Sequence, residues 1–100
     1  MPRNVKLLIT RQFPLAVLTR CKRDYDCTFN PGDTDWIGDE LVARSANHDA
    51  IFFSSGNKFT AEVIQALSDQ VKVLATFSVG HEHIDLIAAK EKKLTVVIQP

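Results

Sequence analysis

One hundred residues with a mass of 11.2 kDa amount to a single domain. Apolar residues make up 45% and charged residues 24%, the balance of an ordinary globular domain. The 12 basic side chains match the 12 acidic ones, and a formal net charge of zero argues against nucleic acid or an anionic membrane surface as partner, both of which favour a basic excess.

In chain order, the apolar run Val5-Lys6-Leu7-Leu8-Ile9 predicts a first strand. Pro14 suits the first turn of a helix, and Pro14, Val17, Leu18 and Cys21 fall on one helical face. A second strand is expected over residues 25–29, closed by the turn Asn30-Pro31-Gly32-Asp33. Asp35 or Asp39 is the expected cap of a second helix running to about Ala46, with Leu41, Val42 and Ala46 inward. Ala50-Ile51-Phe52-Phe53 reads as a third strand, and residues 54–58 as a loop. Thr60 is placed to cap a third helix with Val63, Ile64 and Leu67 on one side. A fourth strand is expected over residues 71–77, broken by Ser78-Val79-Gly80. Asp85 caps a fourth helix from Leu86 to about Lys92, whose lysine-rich end suits the helix dipole, and residues 94–98 form a fifth strand.

Strict alternation of strands and helices with short loops implies a parallel α/β sheet. The near-continuous apolar strands suggest burial on both faces. Five strands fit a flavodoxin-like three-layer sandwich with the order 2-1-3-4-5.

The glycines are Gly32, Gly38, Gly56 and Gly80, and their spacing builds neither a dinucleotide-binding glycine motif nor a P-loop. A Rossmann cofactor domain is therefore not expected within these residues. Cys21 and Cys27 are too few for a disulfide-stapled secreted domain, and their spacing does not suit a zinc pair, so two free thiols and a cytoplasmic location are expected. No apolar run reaches the roughly 18–20 residues of a membrane span, and residues 1–11 lack a secretory apolar core. His81 and His83 do not share a helical face, which leaves no metal site, and His48 is expected at the surface. A receiver-like signalling domain is disfavoured because the end of the first strand reads Ile9-Thr10-Arg11-Gln12, without the carboxylates that hold magnesium.

In open α/β sheets ligands bind beyond the carboxyl ends of the strands, where the strand order reverses. For the order 2-1-3-4-5 the segments there are Thr10-Arg11, residues 54–58 including Ser55, and Ser78-Val79-Gly80. Glycine after a strand permits close backbone approach, successive N–H groups there make an anion nest, and Arg11 or Lys58 can add positive charge. A small carboxylate is the ligand these groups suggest. Gly80 as a plain strand-to-helix turn is the alternative reading of the same residues.

The stretch Ala75-Thr76-Phe77-Ser78-Val79-Gly80-His81-Glu82-His83-Ile84-Asp85-Leu86 resembles the Ser-Val-Gly segment of the NAD(P)-dependent D-2-hydroxyacid dehydrogenases, most of all the glyoxylate/hydroxypyruvate reductase branch. The opening Leu8-Ile9-Thr10-Arg11-Gln12-Phe13-Pro14 is similar to that branch's start, and the resemblance extends over essentially the whole chain. It implies that residues 1–100 are the first part of the substrate-binding (catalytic) domain. Val79 and Gly80, with Ser78 beside them, would hold the substrate carboxylate. The cofactor NAD(P) and the family's catalytic Arg, Glu and His would belong to a cofactor domain outside these residues, so that this chain alone binds no cofactor and is inactive. Two departures stand out: His81 where a bulky residue such as Tyr is common, and Lys90-Glu91-Lys92-Lys93-Leu94 where a glycine often ends the helix. The resemblance implies a 2-oxo or 2-hydroxy carboxylate and the cofactor domain as partners. A homodimer is a further expectation, if an apolar face is left uncovered. A free-standing, non-catalytic module binding a small carboxylate or a protein is the alternative function.

Overall fold

A computed structural model describes residues 5–10, 13–30, 38–53, 59–76 and 84–98. The elements run β1 (Lys6–Ile9), α1 (Leu15–Asp24), β2 (Asp26–Thr28), α2 (Asp39–Ser45), β3 (Ala50–Phe53), α3 (Ala61–Ala66), β4 (Val73–Thr76), α4 (Leu86–Glu91) and β5 (Thr95–Ile98). The strands form one sheet in the order β2-β1-β3-β4-β5, parallel throughout, which is the flavodoxin-like arrangement expected.

Side chains alternate across this sheet, and the two faces are unequal. Leu8, Ile51, Phe53 and Leu74 point to one face and are fully buried. There they meet Leu41 of α2, Val63 and Ile64 of α3, and Ala88 and Ala89 of α4. Leu7, Ile9, Ala50 and Phe52 point to the other face, where Phe13 and the half-buried Val17, Leu18 and Cys21 of α1 cover them. No residue of α1 is fully buried. Val73 and Ala75 of β4 lie on this second face and are only half-buried. The expectation of burial on both faces holds for β1 and β3 and fails for β4. Three helices stand over one face and, among the described residues, α1 alone over the other, so β4 alternates in burial.

The helix boundaries follow local chemistry. Thr60 Oγ1 accepts the Val63 N–H at 3.3 Å and Asp85 Oδ1 accepts the Ala88 N–H at 3.0 Å, so both expected caps are present. Val63, Ile64 and Leu67 are all buried, as their spacing predicts. Pro14 stands just outside α1, its carbonyl accepting from the Val17 and Leu18 N–H groups, rather than inside the first turn. Gly38, not an aspartate, precedes α2; its φ of 57° lies where a side chain is strained. The inward set of α2 is Leu41 and Ser45 with Val42 half-buried, and Ala46 is exposed because the helix has already ended. His48 is half-buried rather than at the surface. Its Nδ1 lies 3.0 Å from the Ala46 carbonyl, which can only accept, and its Nε2 lies 2.9 Å from Thr28 Oγ1, tying β2 to the chain entering β3.

α4 ends in a Schellman motif: the Leu94 N–H donates to the Ala89 carbonyl and the Lys93 N–H to the Lys90 carbonyl. Lys93 takes the left-handed conformation this requires, with φ 62°. A side chain there costs energy that glycine avoids. Lys93→Gly is therefore expected to stabilise the chain by about 0.5–1 kcal/mol. A urea melt reads this directly, and a lower midpoint would show that the lysine contributes more than its backbone strain costs.

Candidate functional site

The carboxyl ends of β1, β3 and β4 lie side by side. Ile9 pairs with Phe52, and Phe53 pairs with Thr76. The Thr10 N–H carries the ladder one step further, donating to the Phe52 carbonyl at 3.1 Å. Beyond Phe53 the chain comes back at Phe59, and beyond Thr76 it comes back at Ile84. Phe59 and Ile84 form an isolated parallel bridge, and the Asp85 N–H donates to the Phe59 carbonyl at 2.9 Å. Both are buried in the larger core, where Phe59 packs on Phe53 with ring centroids 4.2 Å apart. Phe53 with Thr76 and Phe59 with Ile84 are thus two paired positions of these strand ends.

Ser78, Val79, Gly80, Ser55 and Arg11, the site residues expected from sequence, lie outside the described residues, as do Trp36, Lys58, Phe77, His81 and His83. What the structure adds is the frame around them. Thr10 and Thr76, at the ends of β1 and β4, are fully buried. Asn30 is also buried, and its Nδ2 donates to the Thr10 carbonyl at 2.8 Å. Sequence reasoning took Asn30 as a turn residue before Pro31-Gly32. The period-2 pattern carried past Thr28 puts Asn30 on the face of the exposed Asp26 and Thr28, so no local signal marks its burial.

The described part of this edge includes the carboxylate of Asp85, whose Oδ1 accepts the Ala88 N–H as the α4 cap. The two thiols lie instead at the junction of α1 and β2, both free. Burial, with the neighbouring Cys21, pushes the Cys27 thiol up to about 11. Burial and then the Asp24 carboxylate raise Cys21. Neither is a thiolate at neutral pH, so neither is an activated nucleophile. A concavity of about 450 Å³ beside Cys27, lined also by Lys22, Tyr25, Asp26 and Phe29, lies along the β2 edge and away from β3 and β4. Among the described residues no three metal-ligating side chains cluster, and no helix is long and apolar enough to cross a membrane.

The frame defines a class: a flavodoxin-like α/β domain in which the ends of β1, β3 and β4 make the edge where folds of this kind bind ligands. Residues 7–100 match the family model described as "D-isomer specific 2-hydroxyacid dehydrogenase, catalytic domain". The chain belongs to that family. It is 32% identical over 91 residues to a glycerate dehydrogenase of Hyphomicrobium methylovorum, covering 91% of this chain and 28% of that protein. It is 31% identical over 97 residues to a glyoxylate reductase of Thermofilum pendens, covering 95% of this chain and 28% of that one. A crystal structure from a Polaromonas species, assigned as an NAD-binding D-isomer specific 2-hydroxyacid dehydrogenase, superposes with a TM-score of 0.88 at 30% identity, covering 92% of this chain and 29% of that one. The chain thus spans less than a third of the length of these relatives.

The connection from β1 to α1 does not suit the pyrophosphate of a dinucleotide. β1 reaches α1 through Thr10-Arg11-Gln12-Phe13-Pro14, with no glycine to let a pyrophosphate approach the backbone, and Phe13 is buried against Phe52.

Proposed function

We propose that this chain is the substrate-binding portion of a D-2-hydroxyacid dehydrogenase of the glyoxylate/hydroxypyruvate reductase type, acting on a small 2-oxo or 2-hydroxy carboxylate in the cytoplasm. The N–H groups of Val79 and Gly80, with Ser78 beside them, hold the carboxylate, and Ser55 and Arg11 flank it. Fixed N–H groups and a nearby cation suit an anion, and they orient the substrate rather than transform it. NAD(P) supplies the hydride chemistry from a domain outside these residues. The observation that supports this reading is that Phe53 pairs with Thr76 and Phe59 with Ile84, the residues that flank in sequence the segments holding Ser55 and Ser78-Val79-Gly80.

A second reading, a free-standing module for a small carboxylate or a protein partner, draws on the half-buried Val73 and Ala75. That face suits a second copy of the chain, or the cofactor domain, as its cover. Titration of the isotope-labelled chain with oxamate, an unreactive analogue of glyoxylate, checks the first reading. Amide signals of Val79, Gly80 and Ser55 are expected to shift together, and glyoxylate with NADH is expected to give no oxidation above the blank. No shift at about 10 mM oxamate, where even a weak anion site fills, would sink the carboxylate assignment.

A further inference from the structure

The outer edge of β1 holds a hydrogen bond that its strand ladder does not provide. β1 and β2 pair from Lys6↔Asp26 to Leu8↔Thr28, and β2 ends there. Two residues beyond that end, Asn30 is only 3% exposed, and its Nδ2 donates to the Thr10 carbonyl at 2.8 Å. A side-chain amide thus stands where the next rung of β2 would have been. From the opposite side Thr10 is held by β3: its N–H donates to the Phe52 carbonyl at 3.1 Å, and its hydroxyl lies 3.5 Å from the same oxygen. Thr10 is the last residue before Arg11, and its carbonyl is fixed by a residue 20 positions away.

Burying an amide costs energy unless its bonds are made. A turn before Pro31-Gly32 does not require it, since an exposed Ser or Asp serves a turn equally well. The geometry points to Asn30 as a positioning residue for the carboxylate site: it fixes the direction in which the chain leaves β1, and through Thr10 the point from which Arg11 starts. This rests on the reading that the strand ends form that site. Asn30 touches no substrate in this role and acts through the Thr10 carbonyl.

The test compares the wild-type chain with Asn30→Ala, Asn30→Ser and Asp49→Ala. Asp49 lies at the opposite end of the sheet and serves as the control for lost stability. Asn30→Ala is expected to weaken oxamate binding about three- to tenfold, the worth of one hydrogen bond. It should also speed amide exchange at Thr10 more than at Leu74. Asp49→Ala should lower stability and leave oxamate affinity within twofold of wild type, roughly the limit for a distant site. Asn30→Ser, the milder change, gives the same readout if Asn30→Ala does not fold. A wild-type chain that binds oxamate, with Asn30 variants that bind it as tightly and merely melt earlier, overturns this inference alone. A wild-type chain that binds no oxamate overturns the site reading and this inference with it.

Discussion

Phe53→Ala is expected to cost about 3–5 kcal/mol and Phe52→Ala, its neighbour in the same strand, about 2–3 kcal/mol, the upper and lower parts of the range for large core truncations. Phe53 is 0% exposed and packs on Phe59 beneath three helices. Its removal leaves a cavity walled by both sheet and helices, which has little room to collapse. Phe52 is 8% exposed and stacks on Phe13 at 4.5 Å, but it lies on the face that α1 covers incompletely. There water and Phe13 can move into the space, and the cavity part of the cost falls. Against a total stability of about 5–15 kcal/mol for a domain, the first change brings a chain at the low end of that range close to its unfolding threshold, and the second leaves a cooperative fold. Urea melts of both variants decide it. Equal losses would mean that the second face is as closed as the first. Because Phe53 also carries Phe59, whose backbone bridges Ile84, its loss should loosen the candidate site as well as the core.

This inequality between faces marks what the sequence made legible and what it did not. Apolar runs such as Ala50-Ile51-Phe52-Phe53 announce a parallel strand, but not how well each face is covered. Coverage depends on which side each crossover helix takes, a tertiary property. Thr60 and Asp85 were readable as caps because an N-cap needs only a side-chain oxygen at the right offset. The start of α2 was not, since Gly38 enters it through a positive φ that leaves no polar signature. The edge formed by the ends of β1, β3 and β4 was legible through strand order. Its supports were not. Asn30 looked like a turn residue and Phe59 carried no signal between the loop and the Thr60 cap, and each acquires its role only from a partner more than 15 positions away.

Asp49 was missed for the same reason, and its replacement has the largest expected effect outside the hydrophobic core. It sits in the row that starts the sheet: its N–H donates to the Lys6 carbonyl at 2.8 Å, and its carbonyl accepts from the Lys72 N–H at 2.8 Å. Its carboxylate adds what the ladder lacks there, Oδ2 accepting the Lys6 N–H at 2.8 Å and Oδ1 accepting Gln70 Nε2 at 3.1 Å. One side chain therefore links β1, β3 and the turn before β4. Hydrogen bonds to a charged group contribute about 1.5–3 kcal/mol, and the partial exposure of Asp49 puts it at the low end. Asp49→Ala is expected to cost about 1.5 kcal/mol at neutral pH and to lower Tm by roughly 6–12 °C for a chain of this length. The pH dependence identifies the cause. The Lys6 N–H and then the Gln70 amide hold this carboxyl below its ordinary 3.8. The folded form thus binds the proton less readily than the unfolded chain. The stabilisation is complete above the unfolded value and is lost as pH falls through the folded one. The difference between wild type and Asp49→Ala should hold level from about pH 8 to pH 5 and shrink below about pH 4, where the carboxyl begins to titrate. A difference that persists undiminished into acid would assign the effect to packing and not to the carboxylate.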